Sequence, residues 1–128
     1  HLTKRERDYV IGRTRKLWQS CGLPATALRS VQITDLKKYD GFCRYTYETV
    51  DGVTTPIRKY VIYLDESFLI ANRNNLRSDV IDGLILHEIM HARDYFDNPD
   101  HLDAKFQGTY DAHGDHFQHL AATYGGQQ

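Results

Sequence analysis

The chain has 128 residues, 41% hydrophobic and 26% charged, with a formal net charge of −1. That suffices for one globular domain over residues 1–128, and no apolar run approaches the roughly 20 residues that cross a bilayer, which argues against a membrane protein. Cys21 and Cys43 form no C-x-x-C pair, so a zinc ribbon and a disulfide framework are excluded and two reduced thiols are expected.

The small net charge conceals two unequal halves. Residues 1–60 hold 12 Lys/Arg against 6 Asp/Glu, and residues 61–128 hold 4 against 11. The basic half is a candidate DNA-contacting surface, although a solvated helix and hairpin face accounts for the same charges. The acidic half suits a cation site. The N-terminus is basic and amphipathic, not a charged tip followed by an apolar core, so no secretory signal is read there. With reduced thiols this predicts a cytoplasmic protein, or a nuclear one in a eukaryote, and a monomer.

In chain order, residues 3–20 read as a helix. Thr3 can cap it, and Val10, Ile11, Thr14, Leu17 and Trp18 recur at helical spacing among basic residues. Gly22 and Pro24 end it. A short strand is expected around Val31-Gln32-Ile33. Phe42 to Val50 and Ile57 to Leu64 are rich in aromatic and β-branched residues and flank Asp51-Gly52, which predicts a hairpin with Pro56 at the start of its second strand. Residues 65–71 form a short helix or turn before a polar loop. Ser78 can cap the next helix, which runs to about Phe96, where Asn98-Pro99 stops it. Residues 98–112 read as a loop with one helical turn near Ala104-Lys105-Phe106. A last helix covers Asp115 to Tyr124. The pattern is α+β: an N-terminal helix, a small, mostly antiparallel three-stranded sheet, and helices packed on it.

The segment with the most chemistry is His87-Glu88-Ile89-Met90-His91, an H-E-x-x-H pentad. Chance alone yields about 0.01 such pentads in a chain of this composition, so the match is informative. Two histidines four apart share a helix face, so both imidazoles can bind one zinc ion. Glu88 can then act as general base on an activated water. The flanking Ile81, Leu84, Ile85 and Ile89 place the pentad in a largely buried helix, where unpaired polar groups are costly.

A catalytic zinc needs a third protein ligand and one open position. Downstream candidates are Asp94, His101, Asp111, His113, His116 and His119. Asp94 and Asp97 occupy the positions where an H-E-x-x-H-x-x-G-x-x-H site would need glycine and histidine, so that arrangement is excluded. Asp94 and Asp111 are candidates for orienting a ligand histidine.

The segment His113-Gly114-Asp115-His116-Phe117 has the form H-G-x-x-F. Following H-E-x-x-H, it resembles the SprT-like metalloprotease family, which includes the Spartan DNA–protein crosslink proteases. The resemblance implies a compact zincin-like domain, Zn²⁺ held by His87, His91 and His113, and Glu88 as the catalytic base. The implied activity is endopeptidase cleavage of a protein or peptide substrate, with DNA-associated proteins as one substrate class. Gly114 would then allow a sharp turn into the last helix, which Phe117 anchors. Asp111 and His116 remain alternatives for the third ligand. Tyr95, Tyr110 and Tyr124 are candidate oxyanion donors, and the hairpin edge can take an extended peptide as an added strand.

Two rival readings are weaker. A deformylase-type enzyme also uses H-E-x-x-H with an upstream cysteine, for which Cys43 is the candidate, but its surrounding segments do not match. A non-catalytic nucleic-acid-binding module would hold a structural zinc, closed by a fourth protein ligand such as Asp111 or His116.

Overall fold

The first helix, α1 (Lys4–Ser20), starts with a reciprocal cap. The Glu6 N–H donates to Thr3 Oγ1 (3.0 Å) and the Thr3 N–H to Glu6 Oε1 (2.8 Å). Its buried stripe is Val10, Thr14, Leu17 and Trp18. Trp18 Nε1 donates to the Pro24 carbonyl (2.9 Å), which ties the helix to the turn that follows it. The computed structural model describes residues 1–126.

After a 3-10 turn (Ala25–Ala27) come β1 (Leu28–Thr34), β2 (Gly41–Val50) and β3 (Val53–Asp65). The β2–β3 turn is as short as Asp51-Gly52 predicts, with φ of +52° and +78° at those residues. Pro56 lies inside β3 rather than at its start, opposite Tyr47. There β3 extends beyond its pairing with β1, which begins at Tyr60, so no bond from Pro56 is required on that side.

The sheet order is β1-β3-β2, with β1 parallel and β2 antiparallel to β3. It is therefore a mixed sheet, not the mostly antiparallel one expected. The cause lies in the 35–40 connection, which crosses the end of β3. The Asp65 carboxylate accepts from the Leu36 N–H (2.9 Å), and the Asp65 N–H donates to the Asp40 carbonyl (2.8 Å). The connection thus carries β2 to the far side of β3 and leaves β1 beside β3, running the same way. Asp65 also accepts from the Phe68 N–H (3.0 Å) and so caps α2 (Glu66–Ala71).

The central element is α3 (Asp79–Asp97), which packs against the sheet, α1 and the two helices that follow. Ile81, Ile85, Ile89 and Met90 are fully buried in it. Ser78 sits at its N-cap without a capping bond. Arg13 instead fixes this end to α1 through a bidentate pair with Asp82, at 3.0 and 2.7 Å. The expected loop after α3 is largely a helix, α4 (Pro99–Phe106). Asn98-Pro99 ends one helix and begins the next, since proline fits the first helical position as well as it stops a preceding helix. The last helix, α5 (Asp115–Tyr124), has the predicted bounds. Among the described residues, no helix is long and apolar enough to cross a membrane. Both cysteines are free.

Candidate metal centre

Residues 87 and 91 lie one turn apart on α3, and their rings stand edge to face with centroids 5.0 Å apart. His113 arrives from the turn ahead of α5. Asp111 shapes that turn: its Oδ1 accepts the His113 N–H (3.1 Å), and its carbonyl accepts the Gly114 N–H (3.3 Å). Gly114 itself has φ −74° and ψ −167°, a backbone open to any residue, so the expected glycine-specific turn is not used. One ligand nitrogen from each of His87, His91 and His113 lies within 4.8 Å of the other two. His113 Nε2 and His87 Nε2 are 3.4 Å apart. The structure thus brings these three histidines into one grouping that could hold a metal ion.

Phe117 is the floor under it. Its ring stacks on His91 at 4.5 Å and meets His87 and His113 edge-on at 4.8 and 5.1 Å. The side chain is fully buried. Phe117→Ala is expected to cost about 3–5 kcal/mol of stability. Because the same ring braces all three imidazoles, metal retained after dialysis should fall in parallel; denaturant unfolding and elemental analysis check both.

Burial sets the protonation states. His91 is pushed down to about 3, first by burial and then by His87, His113 and Lys105, which holds it in the neutral form that binds metals. Among the described residues, its Nδ1 is buried without a hydrogen-bond partner. Glu88 is 5% exposed, and burial raises its carboxyl to about 8. It lies against the start of β2, where a Cβ on Gly41 would stand 3.0 Å from Glu88 Cγ and Oε2 and 3.1 Å from Leu84 Cδ1. Gly41 therefore gives the carboxylate its place. Sequence reading missed this residue, because a glycine opening a strand carries no local sign of what packs on it.

A cleft of about 280 Å³ opens over these groups, lined by His87, Glu88, His91 and His113 on one side and Gly41, Phe42 and Cys43 on the other. Tyr39, Tyr95, Lys105 and Ala112 complete it. Of the three tyrosines considered as oxyanion donors, Tyr95 lines the cleft. Tyr110 gives its hydroxyl to Asp94 Oδ2 (2.5 Å), and Tyr124 packs under Arg93. Lys105 is a cationic candidate that sequence reading overlooked. Cys43 lines the cleft, but burial raises its thiol well above the usual range, and among the described residues it joins no metal-ligating group.

The remaining candidates go elsewhere. Asp94, His101 and His116 form a second grouping with ligand atoms within 4.8 Å. Asp94 pairs with His101, while the neighbouring Arg93 takes Asp97 (2.6 Å). His119 is exposed on α5.

The charge halves partly cancel across the fold. Arg7 pairs with Glu66 and Arg13 with Asp82, while Arg5, Arg15, Lys16, Lys37 and Lys38 stay exposed. A larger groove of about 380 Å³, lined by Arg5, Arg73 and Arg77, lies away from the histidines. It lacks the convergent imidazoles and buried carboxylate of the cleft, so size does not mark the chemistry here. Comparison of the chain with protein-family models, curated proteins and solved structures returns no match.

Proposed function

We propose that this chain is a zinc-dependent endopeptidase of the SprT-like kind, with His87, His91 and His113 as metal ligands and Glu88 as general base. The observation that carries the reading is the convergence of the three imidazoles within 4.8 Å beside a buried carboxylate in an open cleft. The donor set suits zinc, which is bound in catalytic sites by three protein ligands with a fourth position left open. Two observations favour an open site over a closed structural one: Asp111 is turned to the His113 N–H, and His116 pairs with Asp94 (3.4 Å).

Zinc held there would lower the pKa of a bound water toward neutrality and polarise the substrate carbonyl. The chain's own groups do the rest. Burial keeps His91 neutral and ready to ligate. Glu88 would be ionised beside a bound cation despite its dry setting, and its carboxylate would then accept the water proton and pass it to the departing amine. Tyr95 and Lys105 border the space where the oxyanion develops. As an edge strand, β2 can receive an extended peptide by strand addition, with its Gly41–Cys43 end delivering the chain to the cleft. Backbone pairing of this kind implies little sequence preference.

The exposed basic residues Arg15, Lys16 and Lys38 extend the reading to substrates bound on DNA. The test is cleavage of an unfolded protein and of a DNA-bound protein, with and without chelator. Activity is expected to vanish on metal removal and return with zinc, and to be greater on the DNA-bound protein. A zinc-loaded chain that cleaves neither would overturn the proposal.

Gly41→Ala probes the base directly. The added methyl displaces the Glu88 carboxylate by a few tenths of an ångström or more. Turnover is expected to drop about tenfold or further, since small misplacements of a reacting group are costly. KM and zinc content should stay near those of the parent, as measured by steady-state kinetics and elemental analysis.

A further inference from the structure

We propose that Asp94, His101 and His116 form a second, separate site for a divalent transition-metal ion of the zinc class. Each residue comes from a different helix: Asp94 from α3, His101 from α4 and His116 from α5. The Asp94 side chain is fully buried, while those of His101 and His116 are 32% and 40% exposed. An ion could therefore enter from the histidine side and meet a carboxylate fixed from behind.

The two oxygens of Asp94 have different roles. Oδ2 accepts the Tyr110 hydroxyl (2.5 Å), which holds the carboxylate in one orientation. Oδ1 is where the imidazoles converge, with His101 Nδ1 at 2.6 Å and His116 Nε2 at 3.4 Å. Tetrahedral ligands at 2.0–2.1 Å from a zinc ion stand about 3.3 Å apart. The His116 edge already has that length, and the His101 edge reaches it with a sub-ångström shift. Stacking of His101 on Tyr110 (4.6 Å) steadies that ring, while Asn98 Nδ2, 3.2 Å from His116 Nε2 and 3.4 Å from Asp94 Oδ1, gives up these contacts when the ion binds.

Charge supplies the second argument. Among the described residues, the ion pairs of Asp94 are with His101 and His116, which carry charge only when protonated. A dication held between these side chains would give the buried carboxylate a positive partner that does not depend on imidazole protonation. Two imidazoles and one carboxylate are a ligand set that first-row divalent metals accept. Along α3, residue 94 lies about 7.5 Å beyond the midpoint of 87 and 91 at 1.5 Å per residue. Bridged metal pairs are about 3.5–4 Å apart, so the second ion would sit alone. It would clamp α4 and α5 to the end of α3, and so brace the turn that presents His113.

The test is zinc stoichiometry of the metal-free full chain, by calorimetric titration and by elemental analysis after gel filtration. The parent is expected to hold two zinc ions, H87A/H113A one, H101A/H116A one, and the quadruple variant none. If the parent and H87A/H113A bind one and none, the second site is overturned, and the catalytic-zinc reading survives. If H101A/H116A holds none while H87A/H113A keeps one, the catalytic-zinc reading fails, and the second site survives. Anomalous scattering at the zinc edge from crystals of the parent guards against variants that misfold. A peak among Asp94, His101 and His116 is expected, and a single peak at the other histidines would overturn the proposal.

Discussion

Glu88→Gln is expected to lower peptide-bond cleavage by about 10²–10⁴-fold, the usual contribution of a positioned general base. Glutamine has nearly the same shape, so its packing against Gly41 and Leu84 should persist. It can no longer accept the water proton. Zinc content should match the parent, because no ligand is altered, and KM should move little, because substrate pairing with β2 is untouched. Turnover on an unfolded protein, measured beside zinc content, separates this outcome from simple loss of metal. A variant that cleaves as fast as the parent would remove Glu88 from the mechanism.

The same substitution should change how the metal-free protein responds to pH. Glu88 has a folded pKa of about 8 against an ordinary value of 4.5. The folded state therefore holds this proton more tightly than the unfolded state does. Its stabilising effect is complete below about pH 4.5 and is lost as pH rises to 8. His91 acts in the opposite direction: its folded pKa of about 3 lies below the ordinary 6.5, so stability is lost as pH falls from 6.5 toward 3. Metal-free parent protein should thus be most stable where these windows overlap, from about pH 4.5 to 6.5, because the two opposite slopes cancel there. Glu88→Gln removes the loss at higher pH. At pH 9 it is expected to be more stable than the parent by a few kcal/mol, since 3.5 pKa units correspond to at most about 4–5 kcal/mol and relaxation reduces that. At pH 4.5 the two should unfold alike. Denaturant unfolding of the metal-free proteins across pH provides the comparison, and equal stability at pH 9 would show that Glu88 is better solvated than its burial indicates.

These expectations rest on features that differ in how far the sequence alone reveals them. The pentad was legible at once, because the spacing of His87 and His91 on one helix face follows from 3.6 residues per turn. Asp51-Gly52 announced its hairpin for a similar reason: two consecutive positive φ values suit few other residue pairs. The bounds of α5 and the cap of α1 were likewise written in a few neighbouring residues. Asn98-Pro99 was ambiguous even locally, since the same pair that stops α3 starts α4.

Tertiary structure alone decided the rest. Helix α3 and the turn ahead of α5 had to meet before the grouping of His113, rather than Asp111 or His116, with the pentad histidines could be seen. The parallel placement of β1 depends on Asp65 receiving a connection that begins some thirty positions earlier in the chain. Gly41 gained its role only when β2 came to rest on Glu88. Asp94, read as a helper of the pentad, turned to His101, Tyr110 and His116 because packing of α4 and α5 brought those groups to it. Local rules set the geometry within one helix or turn. Which distant side chains share a buried space depends on how the whole chain excludes water, and no short stretch of sequence encodes that.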